Sequence, residues 1–290
     1  MAKPKVSIIV PHYGDPAPLD RCLTALAAQD YDRDDYEIVV ADNLSPQGGE
    51  AISAVVAGRA RLIIATERGA GPARNAGVAA AQGAYLAFTD SDCIPAPDWL
   101  ANGLKALDSS DFVGGRMIVS RETDGIKSGA EAFEQVFAFD NEDYVLNKGF
   151  TVTANLFCPR ALFDRVGGFR VGVSEDLEWC LRARDMGYRI GYAPAAVVAH
   201  PARRDWPALL TKWRRINREM YHLTAAAPRG RLVWLARTWA LPLSIAAHAP
   251  RIATSRHLAG TGERLSALGT LVRLRMWRFA DAHRLLLKER

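Results

Sequence analysis

Two aspartates one residue apart, Asp90 and Asp92, close the apolar run Tyr-Leu-Ala-Phe-Thr. Carboxylates so near one another repel and resist burial unless a cation or hydrogen-bond donors stand between them. The pair therefore points to a divalent metal that carries phosphates. Ser174-Glu175-Asp176-Leu177-Glu178 opens a helical stretch, where acidic residues either complement the helix dipole or supply a general base to a hydroxyl nucleophile. Asp42 ends another apolar run and either accepts hydrogen bonds from a base or ribose or forms a turn. Gly69-Ala70-Gly71-Pro72-Ala73-Arg74 sets an arginine just inside a helix start. It fits an anion or a nucleotide carbonyl, or a glycine-rich turn with a solvated arginine. His200 stands between an apolar run and the pair Arg203 and Arg204, which suits a metal or diphosphate ligand and equally a satisfied histidine.

The elements that must position these groups alternate. Strands are expected at Lys5 to Pro11, Tyr36 to Asp42, Arg61 to Ala65 and Ala84 to Thr89, with helices at Leu19 to Ala28, Ala51 to Ala57 and Gly71 to Ala81 between them. Such alternation predicts an α/β fold with a mostly parallel sheet and right-handed crossovers. Beyond it, Asp98 to Leu107 reads as a helix and Phe112 to Ser120 as a strand. Asp124 to Lys148 is polar and aromatic with weak periodicity, the texture of a substrate loop or lid. Helices follow at Ala161 to Val166 and Glu175 to Met186, then two short strand-like pieces, Tyr188 to Ala193 and Ala196 to His200. No Gly-x-Gly-x-x-Gly follows the first strand and no phosphate-binding Gly-x-x-x-x-Gly-Lys-Ser/Thr occurs, which disfavours nicotinamide binding and P-loop hydrolysis.

Charge divides the chain of 290 residues. The net charge is +5, yet residues 201–290 carry 18 Lys or Arg against 5 Asp or Glu, a net of +13. A basic tail of this kind meets nucleic acid, anionic lipid or anionic substrate. Its stretch 238–250 is uncharged but, at 13 residues, short of the roughly 20 needed to span a bilayer. Leu265, Leu268, Val272, Met276 and Phe279 then recur at steps of three and four among arginines, a basic amphipathic helix suited to an interface. Cys22, Cys93, Cys158 and Cys180 lack zinc or disulfide spacing and read as reduced thiols. The amino terminus has no signal-peptide pattern, so a cytoplasmic location is expected.

Taken in order, these segments resemble the family 2 glycosyltransferases of the GT-A fold over about residues 5 to 205. Val-Ser-Ile-Ile-Val-Pro-His-Tyr-Gly-Asp looks like the opening strand, Val-Val-Ala-Asp-Asn-Leu-Ser like the second, and Gly-Pro-Ala-Arg-Asn-Ala-Gly like the Arg-Asn-x-Gly helix. Thr-Asp-Ser-Asp matches the Asp-x-Asp motif. Thr-Ala-Asn-Leu-Phe-Cys-Pro-Arg with Val-Gly-Gly-Phe looks like the acceptor-side segment that contains Asn155, Glu175-Asp176 like the Glu-Asp motif, and Val-Val-Ala-His200 like the close.

The resemblance implies a single GT-A domain at 1–205, with a Rossmann-like mostly parallel sheet flanked by helices, and a basic helical extension at 206–290. It implies inverting transfer of a sugar from a nucleotide-diphosphate donor to an acceptor hydroxyl. Asp176 would be the general base and Glu175 its orienting partner. Asp90, Asp92 and His200 would hold Mg²⁺ or Mn²⁺, and Pro11, Tyr13, Asp15, Asp42, Arg74 and Asp90 would contact the donor nucleotide. Arg203 and Arg204, or Lys212 with Arg214 and Arg215, would close over the diphosphate, and Asn155 would face the acceptor.

Asn43 and Leu44 stand where many members have Asp and Gly. The Gln-x-x-Arg-Trp motif of processive synthases is replaced by Leu209-Leu210-Thr211-Lys212-Trp213, which favours single addition. The expected acceptor is a lipid-linked or cell-surface glycan of polysaccharide biosynthesis, with the tail peripheral on the cytoplasmic face of an anionic membrane. The rivals are a sugar-phosphate nucleotidylyltransferase, whose glycine- and arginine-rich first loop is missing, a nucleic-acid-binding protein that uses the basic tail, and an inactive binding protein on the same scaffold.

Overall fold

The structure, a computed structural model, describes residues 4–121 and 124–288. The chain forms two compact units. One runs to Ile118 and adds Phe139–Val171 and Glu175–His200; the other comprises Val119–Ala138, Gly172–Ser174 and the chain from Pro201 onward.

The first unit opens with β1 (Val6–His12), α1 (Pro16–Ala27), β2 (Tyr36–Asp42), α2 (Gly49–Val56), β3 (Arg61–Ile64), α3 (Ala70–Ala80) and β4 (Tyr85–Phe88). β5 (Ile94–Pro95), α4 (Trp99–Ala106) and β6 (Phe112–Ser120) follow. The sheet order is β3-β2-β1-β4-β7-β6-β8-β5, in which β7 is Leu156–Pro159 and β8 is Ile190–Pro201. β3, β2, β1 and β4 run parallel, as the alternation predicts, whereas β4–β7, β6–β7 and β5–β8 pair antiparallel.

Every residue of β1 is buried, as a central parallel strand covered on both faces requires. Ile8 and Val10 face one core with Leu23, Trp99 and Phe157; Ile9 faces the other with Phe88, Phe112 and Trp179. Gly77 lets α3 lie close on the sheet, since a Cβ there would come within 2.6 Å of Ile9 Cγ2.

Two expectations change. The segment expected as a lid is largely helical: α5 (Gly129–Phe137), α6 (Asn141–Asp143) and a π-helical turn at Tyr144–Lys148. A capping box starts α5, in which Ser128 Oγ accepts from the Glu131 amide while Glu131 accepts from that of Ser128. The two short strand pieces are one strand, β8, with Pro194 and Ala195 exposed at its middle. α7 (Arg160–Val166) and α8 (Glu175–Asp185) complete the first unit.

The second unit packs α5 with α9 (Trp206–Ala225), α10 (Gly230–Ala253) and α11 (Gly260–Lys288). Phe133, Leu209, Ile252, Leu271 and Leu274 share its core. Its basic residues are partly structural. Lys212 is bound to buried Glu134 at 2.5 Å, Arg273 lies over Trp206, and Arg278 lies over Trp213. No helix among the described residues is long and apolar enough to cross a membrane.

Candidate active site

The carboxyl ends of β1, β2 and β4 deliver the acidic groups. Asp42 pairs in register with His12 and is 2% exposed. The Ser45 hydroxyl donates to one of its oxygens and the Ser45 amide to the other at 3.2 Å, while Ser45 Oγ accepts from the Gly14 amide at 2.9 Å. Asp42 thus makes a turn and ties the Pro11–Asp15 loop to β2. Within that loop Pro11 is buried, Tyr13 is exposed, and Asp15 caps α1 by accepting from the Ala17 amide. Burial lowers the pKa of His12 despite nearby Asp42 and the Gly14 backbone.

Asn43 and Leu44 acquire a physical account. Asn43 Nδ2 donates to the Ala65 and Glu67 carbonyls at 2.8 and 2.7 Å, and its Oδ1 accepts from the Gly69 amide. A carboxylate could not make the two donations, so an amide belongs here. Leu44 has φ 60° and is exposed, in a backbone region that glycine enters without cost.

Arg74 joins the distant parts. It is buried, and its two Nη atoms bind Glu175 Oε1 and, at 2.5 Å, Asp90 Oδ1. Burial disfavours its charge, but Asp90 and Glu175 outweigh that and raise its pKa. The start of α8 is brought there by Asn75, whose amide donates to the Phe169 carbonyl and accepts from the Phe169 amide, both at 2.8 Å. Gly71 leaves room for Glu175, whose Oε2 lies 2.5 Å from where a Cβ would stand.

Asp176 Oδ1 accepts from the Leu177 amide at 2.8 Å. The charge of Asp176 also acts on Arg74 and on Tyr144. Burial first, then Asp140 and Asp176, push the Tyr144 phenol up to about 12. Tyr144, stacked on Phe150, was not singled out in the sequence because its segment shows no clear period.

Asp90, Asp92, Cys93 and His200 each offer a ligand atom within 4.8 Å of the others. His200 Nε2 is 3.6 Å from Asp92 Oδ2, and its ring packs on Phe139. Two carboxylates and an imidazole suit Mg²⁺ or Mn²⁺. Burial, reinforced by Asp92 and Asp90, raises the pKa of the Cys93 thiol. The Arg74 guanidinium feels the charges of Asp90, Glu175 and Asp176, and Asp90 belongs also to the candidate metal cluster.

Asn155 is fully buried. It accepts from Trp99 Nε1 and donates to the Arg116 and Ala196 carbonyls, which binds β6 and β8 together. Arg203 and Arg204 belong to the second unit, where the Arg203 amide donates to Glu134. Lys212 is engaged by the same glutamate, whereas Arg214 and Arg215 border a cavity of about 340 Å³ with Arg218 and His222.

The chain matches the model of glycosyl transferase family 2 over residues 7–178. It is 31% identical over 223 residues to the glycosyltransferase AglE of Haloferax volcanii, covering 74% of this chain and 72% of that protein. Its fold is similar to that of the mannosyltransferase PcManGT from Pyrobaculum calidifontis, solved in complex with GDP-Man and Mn²⁺. The TM-score is 0.61 at 24% identity, over 100% of this chain and 88% of the other. TarS 1–349 of S. aureus in complex with UDP-GlcNAc gives a TM-score of 0.51 at 16% identity, over 99% and 92% of the two chains.

Proposed function

The chain belongs to glycosyltransferase family 2, and from that membership we propose that it moves one sugar from a nucleotide-diphosphate donor to an acceptor hydroxyl with inversion at the anomeric carbon. The observation that carries this reading is the Arg74 bridge, which joins the Asp90-x-Asp92 motif to the Glu175-Asp176 helix start, with Glu175 lying 101 residues beyond Arg74. A donor-phosphate anchor and a candidate base thereby meet.

Asp90, Asp92 and His200 would hold Mg²⁺ or Mn²⁺. When bound, that ion neutralises the charge that collects on the diphosphate as the glycosidic bond breaks. PcManGT, solved with Mn²⁺, makes Mn²⁺ the first ion to try. Asp176 takes the proton of the acceptor hydroxyl as its oxygen bonds to the anomeric carbon. The electron pair of the old carbon–oxygen bond leaves on the diphosphate. Glu175, held by Arg74, orients this end of α8. The nucleotide lies against Tyr13 and the loop secured by Asp42 and Ser45. GDP-Man and UDP-GlcNAc, bound by the two structural neighbours, are the first donors to test.

Single addition is favoured by Leu-Leu-Thr-Lys-Trp in place of Gln-x-x-Arg-Trp. We read the acceptor as a lipid-linked glycan and the second unit as peripheral on an anionic membrane, in keeping with the net charge of +13 over residues 201–290, from 18 basic and 5 acidic residues.

Asp176→Asn tests the base assignment. Transfer should fall by about a hundred-fold or more while Mn²⁺-dependent donor binding, measured calorimetrically, persists. Unaltered turnover would reject the role of Asp176.

A further inference from the structure

The inner side of α10 is conventional. Trp234, Thr238 and Ile252 are buried in the second unit, and Trp234 Nε1 donates to the Ala282 carbonyl of α11. The outer side is not. Leu232, Leu235, Trp239 and Leu243 recur at steps of three, four and four and are 66%, 36%, 60% and 78% exposed. A helix on the surface of a soluble domain carries polar residues there. Here no charged residue occurs between Arg237 and Arg251.

The apolar surface continues onto α11. The Trp239 ring meets Phe279 edge-on at 5.1 Å, and Met276 and Val272, both exposed, precede Phe279 at helical spacing on α11. A contiguous apolar face of this kind marks an interaction surface.

We infer that this α10–α11 face seats the second unit in the surface of an anionic lipid bilayer, with α10 lying in the membrane plane. The uncharged stretch is too short to span, which leaves the interfacial orientation. Arg231 and Arg237 are exposed on α10 itself. That arrangement pairs an apolar face with cations that can reach lipid headgroups. A second copy of the chain would bring like-charged arginines together, whereas an anionic leaflet neutralises them.

The inference rests on the membrane reading above and gives it a surface. It does not depend on the catalytic assignments.

Flotation of the full chain with vesicles tests it, using phosphatidylcholine alone and phosphatidylcholine with about a third phosphatidylglycerol. The wild type should float with the anionic vesicles and far less with the neutral ones, and Trp239 emission should shift to the blue on binding. Leu243→Glu should weaken binding about ten-fold or more, whereas Ile126→Glu, at a 90% exposed position outside this face, should not. Circular dichroism and donor hydrolysis, unchanged in both variants, exclude misfolding and separate this test from that of catalysis. Absence of wild-type flotation with anionic vesicles overturns both the membrane reading and the face. Flotation retained in full by Leu243→Glu overturns the face alone. Self-association that Leu243→Glu abolishes, without vesicle binding, replaces the bilayer with a second copy.

Discussion

Arg74→Met is the perturbation with the most to say about the site. The guanidinium is 3% exposed and binds both Asp90 and Glu175. At about 4 Å and an effective dielectric near 20, each pair is worth roughly 4 kcal/mol of gross attraction, most of it offset by burying the arginine. Removing one partner of a buried pair typically costs about 3–5 kcal/mol. The two carboxylates keep 30% and 23% of their side-chain exposure, so water screens part of the uncompensated charge. A loss of about 2–3 kcal/mol is expected, read as a lower midpoint in urea at an unchanged slope.

Two companions sharpen the result. Arg74→Lys should fall between wild type and Arg74→Met, because a point charge does not reproduce a fork with a separate nitrogen for each carboxylate. Millimolar Mn²⁺ should return part of the loss in Arg74→Met and raise its melting temperature more than that of the wild type, since the ion supplies positive charge among the same carboxylates. An Arg74→Met protein as stable as wild type, with the same response to Mn²⁺, would refute the claim that Arg74 ties these carboxylates together.

Two further predictions concern the supports of the fold. Asn43→Asp keeps the acceptor for the Gly69 amide but loses both donations and sets a carboxylate oxygen against the Ala65 and Glu67 carbonyls. It should cost about 2–4 kcal/mol in chemical denaturation, and a change under about 0.5 kcal/mol would show that the β3–α3 loop is held by other means. In the second unit, burial alone would raise the pKa of Glu134, but Lys212 and the Arg203 amide hold it below the ordinary carboxylate value of 4.5. A lowered native pKa gives stability that is complete above 4.5 and is lost as the pH falls through the native value. Glu134→Gln should therefore be less stable than wild type at neutral pH, with a gap that narrows on acidification through that window. A gap that stays constant with pH would contradict the pairing.

The strands were legible because parallel strands covered on both faces are written as unbroken apolar runs, and Asp42 and Asp90 stand out where such runs stop. The Arg74–Glu175 contact was not, since nothing local connects residues 101 apart. The helix-start position offers Arg74 to an anion or a nucleotide carbonyl, and both of its Nη atoms reach carboxylates of the chain itself. α5 was hidden by its buried glutamates, Glu131 and Glu134, which interrupt the apolar period, although Ser128 and Glu131 stand at capping-box spacing. Pro194 broke β8 in the reading without breaking the strand.

The most instructive ambiguity lies in α11. Its sequence holds two apolar stripes. Leu265, Leu268, Val272, Met276 and Phe279 stand out by their regular spacing, yet of these Leu268 alone packs against the core whose buried members on α11 are Ala267, Leu271 and Leu274 among the described residues. Periodicity reports that a helix has an apolar face but not which of two faces the protein uses to fold. In α10 the uncharged stretch likewise serves two sides, one packed on neighbouring helices and one exposed. Core packing accounts for only one side of each helix. A single packed face requires one stripe, so the second stripe is excess to folding and must answer to something outside the fold.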